Sequence, residues 1–283
     1  MKKFTIAFLA ALPLLACLAS PASAASQARG QGNFPFPTGD RHDWGIGTEI
    51  YYYNYEEPAF MENEGAKYGL DAHYKYKSPE RWSVKVEGRG AWGTVDYWSN
   101  GTGTDENIKE GTFELRLTGG YDFVLAPDWT LTPYVGVGYR YLKNAGGGTV
   151  TTTGHLGYDR ISQYLYSPIG LELVYDTQRQ WTIGATIEYD IFYRGWQESR
   201  FGTAIPGFGD TNNTQDGGYG WRGSLPFRKK GDRFDIVIEP YVRWWHIDDS
   251  DVQAITAGGF VVDFGLEPAN DTFESGLKLD FIF

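Results

Sequence analysis

The sequence contains a single cysteine, Cys17, which lies within an apolar N-terminal run. One cysteine cannot form an intrachain disulfide, so the fold must be stabilised in other ways. Beyond that run, no apolar stretch is long enough to cross a bilayer as a helix. If the protein enters a membrane, we therefore expect a closed β-sheet, in which every backbone group is hydrogen-bonded.

Basic residues are also scarce relative to acidic ones. The chain has 25 Lys and Arg residues against 36 Asp and Glu residues, and its formal net charge is -11. This charge argues against nucleic acid as a partner. Aromatic residues, by contrast, make up 17% of the chain, with 10 Trp and 20 Tyr. Such aromatic content indicates an apolar face that meets something other than water.

The N-terminus has the pattern of a secretory signal. Lys2 and Lys3 precede the apolar run, and a small-residue "ASA" site ends at Ala24. We therefore predict a signal peptide over residues 1–24. The alternative is that "LLAC", ending at Cys17, is a lipoprotein processing box and that Cys17 becomes the acylated N-terminus.

Apolar and charged residues alternate along much of the remaining chain. In "FDIVIEPYVRWW", which begins at Phe234, one side carries residues such as Ile236 and Ile238, and the other carries residues such as Asp235 and Arg243. A period of two with chemically different faces predicts a strand between two environments. A soluble β-sandwich also alternates, but its loop lengths need not do so.

About ten segments share this alternation. They lie near residues 45–55, 66–77, 81–97, 110–123, 129–143, 161–176, 180–196, 217–228, 232–247 and 273–283. An even number of strands allows antiparallel closure with both termini on one side. The sequence therefore predicts an all-β protein, a transmembrane antiparallel up-and-down barrel at residues 45–283, preceded by a periplasmic N-terminal segment at residues 25–44.

The connections between these segments alternate in length. Tight turns such as "KSPE" and "DTQR" follow the even-numbered strands, and longer polar loops follow the odd-numbered ones. This asymmetry predicts short periplasmic turns and long extracellular loops in the outer membrane. Phe283 ends the closing strand, and such an aromatic C-terminus resembles the signal that the barrel assembly machinery reads. We also expect outer-membrane lipid and lipopolysaccharide as partners.

Strand parity assigns many charged residues to the lumen. These are Glu49, Asp71, Lys75, Lys85, Glu87, Arg89, Glu114, Arg116, Asp122, Arg140, Glu172, Glu188, Asp190, Arg194, Arg222, Asp235, Glu239, Arg243, Lys278 and Asp280. Their mixed signs predict salt-bridged filling and not a selective channel. Parity also predicts an outward aromatic girdle that includes Trp92, Tyr139, Tyr141, Tyr189, Trp221 and Trp244.

The segment Ser167–Arg200 resembles the sixth and seventh strands of omptins, which are ten-stranded outer-membrane endoproteases. It has a similar Ile-Gly-Leu start and a Gly-Trp-x-Glu-Ser stretch at Gly195–Ser199. The resemblance implies the omptin fold. Omptins use an Asp-x-His pair just beyond this stretch, facing an acidic pair on the third strand.

The catalytic part of that resemblance is missing. No histidine follows Ser199 within "RFGTAIPGFGDTNNTQDGG", so no imidazole is available there to activate water. Asp96 and Asp105 are candidates for the acidic pair, although their spacing differs from that of the family. We therefore extend the fold to this chain and not the protease activity.

A second candidate site is "HIDDSD", in which His246 stands beside Asp248 and Asp249. A histidine flanked by carboxylates can bind a metal or act as an acid–base pair. A solvated loop root explains the same residues, so we predict no metal. We also predict no cofactor, because the glycine-rich "NAGGGTV" is not followed by a helix.

Three functions fit these features. The first is a non-enzymatic surface barrel whose lumen is filled and whose extracellular loops bind a ligand. The second is an omptin-like endoprotease, or a lipid-acting enzyme, with a rearranged site. The third is a narrow pore.

Overall fold

The computed structural model describes residues 41–283, so the predicted signal peptide and most of the segment at residues 25–44 lie outside the described part. Within the described part, no helix is both long and apolar enough to cross a membrane. The strands are β1 (Arg41–Glu57), β2 (Met61–Lys77), β3 (Trp82–Ser99), β4 (Gly103–Tyr121), β5 (Phe123–Ala126), β6 (Trp129–Ala145), β7 (Asp159–Asp176), β8 (Trp181–Arg200), β9 (Thr211–Gln215), β10 (Gly218–Ser224), β11 (Phe227–Lys229), β12 (Asp235–Ile247), β13 (Gln253–Ala257), β14 (Phe260–Gly265) and β15 (Asn270–Ile282).

Antiparallel pairing closes these strands into a barrel. The order around the wall is β1-β2-β3-β4-β6-β7-β8-β10-β12-β15, and β15 returns to pair with β1 from Gly45↔Ile282 to Glu56↔Asp271. β11 continues β10 between β8 and β12, whereas β5 extends the β4 position against β6. This arrangement confirms the predicted all-β, ten-stranded antiparallel barrel.

The outer wall is apolar, and a girdle of aromatic residues bounds it at each edge. On β3, Trp82, Val84, Val86 and Trp92 all face outward and are exposed. With about 3.3 Å per residue and a tilt of about 40°, the two tryptophans are roughly 25 Å apart along the barrel axis, which is the height of a lipid-facing band. The predicted girdle residues all face outward, in the half of the barrel that contains Trp92: Trp92, Tyr139, Tyr141, Tyr189, Trp221 and Trp244.

The inner wall carries the charged residues that parity assigns to the lumen, with one exception. Arg194 faces outward, where its half-exposed side chain pairs with the exposed Asp216 at 3.0 Å. The cause is a β-bulge: Leu165 pairs with Arg194 and Tyr166 pairs with Phe192, so Tyr193 is an extra residue. An extra residue inverts the parity of every later residue of the strand.

The connections lie at two ends of the barrel, and the first two connections at one end are shorter than predicted. At the short-turn end, the connections are residues 78–81, 127–128, 177–180 and 230–234. At the opposite end, which we call the loop end, the first two connections are residues 58–60 and 100–102. The residues predicted there as long loops instead continue the strands, with pairs such as Glu56↔Glu62. The last connection contains the β13–β14 hairpin.

Candidate functional site

Ion pairs cross the central lumen between distant strands. Arg222 on β10 contacts Glu114 on β4, across the lumen, at 2.6 Å, and Asp190 on the neighbouring strand β8 at 2.6 Å. Arg222 also donates to the hydroxyl of Tyr166 at 2.9 Å, and that hydroxyl donates to Glu114 at 2.6 Å. All these side chains are buried. Such charges are tolerated away from water only because each is paired and hydrogen-bonded.

A second group centres on Glu274 of β15. This buried carboxylate accepts from Arg140 at 2.8 Å, from Arg243 at 3.1 Å and from Arg89 at 3.2 Å. Arg140 is on β6, which lies opposite β15 in the wall. The Arg140–Glu274 pair therefore spans the lumen. The sequence analysis did not assign Glu274 to the lumen, although it shares the parity of Lys278.

A third group lies near the loop end. Arg160 on β7 contacts Glu57 on β1 at 2.7 Å and also contacts Glu267, which precedes β15. Tyr55 donates to Glu57 at 3.0 Å and to Glu267 at 3.3 Å. Burial raises the pKa of Glu267 to about 7; Arg160 acts against this shift and Glu57 adds to it. This group joins the last connection to the barrel wall. Period-two alternation could not identify Glu267, because it lies outside the strands.

Apolar rings fill the space between these charged groups. Buried side chains form one cluster of Tyr164, Tyr166, Phe192, Trp245 and Ile247 and another that includes Tyr51, Tyr53, Val95 and Tyr241. The half of the lumen nearer the loop end is therefore packed like a protein core.

The lumen opens into a cavity of about 690 Å³ at the short-turn end. Its lining carries charges of both signs, and Lys75 contacts Glu172 across it at 3.3 Å. Lys77 likewise pairs with Asp122 at 2.6 Å. Charged residues of the cavity lining therefore pair with one another.

The wall where the omptin resemblance places an Asp-x-His pair carries different chemistry. The inward residues of β9 are Thr211, Asn213 and Gln215, which are buried amides and a hydroxyl. None of these groups can accept a proton from water near neutral pH. Across the described residues, no group of three or more His, Cys, Asp or Glu side chains is arranged to hold a metal ion.

The candidate His246 lies on the outer wall and not in a cleft. Its Nδ1 is 3.0 Å from Asp271 Oδ1, and its Nε2 is 3.3 Å from Asp248 Oδ1. The imidazole stacks near Trp244 and contacts the Tyr219 ring. His246 therefore lies just beyond the girdle of aromatic residues that contains Trp244, on the side of the loop end, and between two carboxylates.

The other candidates are not part of that arrangement. Asp249 accepts a hydrogen bond from the Ala269 amide at 2.5 Å, which holds the last connection together. Asp96 faces outward on β3 and accepts from the Asn107 amide at 2.9 Å. The structure therefore joins His246 with Asp248 and places Asp249 and Asp96 in local structural roles.

The β13–β14 hairpin exposes large apolar side chains at the loop end. Phe260 is 77% exposed and Phe264 is 67% exposed, and Val252, Val262 and Leu266 are exposed as well. The hairpin is joined to the preceding loop by the bridge Phe208↔Ala257. The sequence analysis missed this element, although two apolar runs around Gly258 and Gly259 are a hairpin signal.

A closed antiparallel barrel with an apolar outer band, aromatic rings at both edges of that band and a charged interior is a β-barrel membrane protein. Residues 10–222 match the family model described as "Outer membrane protein beta-barrel domain". The chain belongs to this family, and its place is therefore the outer membrane.

Solved structures show the same fold at low sequence identity. The outer membrane protease OmpT from Escherichia coli is 11% identical, with a TM-score of 0.56, and the match covers 87% of this chain and 97% of that one. Ail, the attachment invasion locus protein of Yersinia pestis, is 12% identical with a TM-score of 0.33, covering 85% and 98% of the two chains. No curated protein matches the sequence. The OmpT match supports the fold-level resemblance to omptins.

Proposed function

We propose that this protein is a surface-binding barrel whose loop end recognises an extracellular partner. The observation that carries the proposal is the ordered, apolar β13–β14 hairpin above a lumen that ion pairs cross. An exposed apolar patch of this kind is typical of an interaction site. A lumen filled by paired charges argues against transport and against an open cleft that binds a substrate.

The proposal requires the loop end to face the outside and the short-turn end to face the periplasm. It further includes cleavage of the signal peptide after Ala24, recognition of the Phe283 strand by the barrel assembly machinery, and contact of the outer wall with lipopolysaccharide. The long connections at residues 201–210 and 248–269 support this orientation, because outer-membrane barrels carry their long loops outside.

Cysteine labelling of intact cells tests the orientation. Cleavage after Ala24 would remove Cys17, so the mature chain would contain no other thiol. Val261→Cys, which is exposed on β14, should react with a membrane-impermeant maleimide on intact cells. Gln180→Cys, in an exposed short turn, should react only after lysis. The reverse pattern would place the hairpin in the periplasm and overturn the proposal.

A hydrolase is the second candidate, and the His246 arrangement favours it. An imidazole oriented by Asp271 could act as a base. The proposed binding function predicts that refolded protein with lipopolysaccharide cleaves neither a peptide with paired arginines nor phospholipid in mixed micelles. Turnover of either substrate that His246→Ala abolishes and Asp249→Asn leaves intact would establish the hydrolase instead.

A further inference from the structure

The β13–β14 hairpin leaves one strand edge open. On its β13 side, the hairpin is bonded to the preceding loop: the Gly209 amide donates to Thr256 at 2.9 Å, and the Gly258 amide donates to Gly207 at 2.9 Å. β14, in contrast, pairs only with β13 among the described residues. An unpaired strand edge offers a row of backbone donors and acceptors to another extended chain.

The charged side chains of the two segments around this edge are all acidic. Residues 201–217 and 248–269 contain no Lys or Arg but two and five acidic residues, respectively. Two of these, Asp216 and Glu267, pair with Arg194 and Arg160 of the barrel wall. Asp251 and Asp263 are exposed, and the bulge at Val262 places Asp263 on the same face of the hairpin as Phe260, whereas Val261 and Phe264 share the other face. A second copy of this hairpin would bring like charges together, and an anionic membrane surface would be repelled in the same way.

We propose that the open edge of β14 docks an extended, basic segment of a partner protein by strand addition. Backbone hydrogen bonds along β14 bind the segment, alternate apolar side chains of the segment cover the face that carries Val261 and Phe264, and its Lys or Arg residues lie on the other face, towards Asp263. This inference rests on the proposed surface-binding function and specifies the chemistry of the partner.

A defined peptide tests the inference directly. A short labelled peptide of alternating Val and Lys is titrated with the refolded full-length protein in zwitterionic detergent, and fluorescence anisotropy reports binding. We expect saturable binding that weakens as salt is added, because the carboxylates attract the peptide through screened charges. The matched peptide of alternating Val and Glu should not bind.

Variants separate the edge from the apolar face. The Thr256 carbonyl faces Gly209 and not β14, so in the pair Thr256↔Val261 the Val261 amide faces the open edge, and Val261→Pro removes that donor. Val261→Pro, and separately Phe264→Ser, should each weaken binding roughly tenfold. Phe60→Ser is the matched control, because Phe60 is also exposed at the loop end but lies outside the hairpin. Heat-modifiable migration verifies that each barrel is folded.

Several results would overturn the inference. They are equal binding of the Val-Lys and Val-Glu peptides, wild-type affinity of the Val261→Pro variant, insertion of the hairpin into phosphatidylcholine vesicles, and hairpin-dependent self-association in sedimentation. If these results occur while maleimide still labels Val261→Cys on intact cells, the surface-binding function survives and only the partner chemistry fails. If the labelling pattern is reversed, the proposed function fails whatever the peptide does.

Discussion

Glu267 shares one guanidinium with a second carboxylate, and this geometry makes the last connection sensitive to pH. Its pKa in the folded protein is about 7, above the ordinary value of 4.5. An acid with a raised pKa stabilises the fold fully below the ordinary value, and that contribution is lost as pH rises through 7. The Ser250 amide, which donates to the Glu267 carbonyl at 2.9 Å, reports on this site.

We therefore expect protection of the Ser250 amide against hydrogen exchange, corrected for intrinsic rates, to fall between about pH 5 and pH 8. Glu267→Gln stays neutral throughout, so its protection should be nearly flat over the same window. A variant that follows the wild-type pH profile would show that another group controls the connection.

Two arginines on the barrel wall differ in burial, and this difference predicts different stabilities. Arg140 is buried and pairs with Glu274 across the lumen, so Arg140→Met leaves a buried carboxylate with less compensation. Because Arg89 and Arg243 still donate to Glu274, we expect a loss of about 1–3 kcal/mol in the free energy of unfolding. Arg194→Met breaks only an exposed pair with Asp216 and should cost about 0–1 kcal/mol.

Urea-dependent folding into lipid vesicles, followed by tryptophan fluorescence, measures both values. Equal losses in the two variants would contradict the difference in burial.

Arg194 also shows where sequence reasoning reaches its limit at the residue scale. Alternation correctly predicts that Arg140 and Arg222 face inward, because each follows an uninterrupted stretch of strand. It fails at Arg194 because the bulge at Tyr193 adds one residue to β8. Bulges depend on pairing with a neighbouring strand, and no residue type in the local sequence specifies this one.

At the scale of a single element, β3 carries an aromatic residue at each edge of the lipid-facing band, Trp82 and Trp92. Substitutions along this strand therefore report depth in the membrane. Val86 faces outward between Trp82 and Trp92, whereas Thr94 faces outward beyond Trp92. We expect Val86→Arg to destabilise the inserted barrel by about 2–4 kcal/mol and Thr94→Arg by about 0–1 kcal/mol, because the cost of a charge falls towards the interface.

The fraction of heat-modifiable, folded protein recovered from vesicles across a urea series measures this difference. A larger loss for Thr94→Arg than for Val86→Arg would place the lipid band elsewhere on β3.

The elements at the loop end were predictable only in part. Residues near Glu56 and Glu62 are polar on both faces, so the sequence suggests a loop, yet they continue β1 and β2 as paired strands above the lipid band. Here the inner face is a buried network of mostly polar side chains and the outer face meets water, so the apolar alternation that reveals a strand in the membrane is absent. The His246 site follows the same logic: its parity with Trp244 places it outward, but only the fold brings Asp271 beside it.

At the scale of the whole molecule, the paired charges determine what the barrel can conduct. Ten strands enclose an interior only modestly wider than that of eight, which side chains already fill. In this protein Arg140–Glu274 and Arg222–Glu114 cross the central lumen, and Arg160–Glu57 crosses it near the loop end. The cavity of about 690 Å³ at the short-turn end therefore meets a charged barrier before it reaches the other side.

We therefore expect purified protein in planar bilayers to give no steady ion conductance. The reason is that ions entering the short-turn cavity would have to break buried ion pairs, and each broken pair leaves an uncompensated charge away from water. Replacing Arg140 and Arg222 by Ala together removes two of the crossing side chains, whereas Arg194→Ala changes only the outer wall and is the control. Steady single-channel steps from the wild-type protein, enlarged in the double variant and unchanged in the control, would show that the lumen is a pore and that transport replaces surface binding as the function.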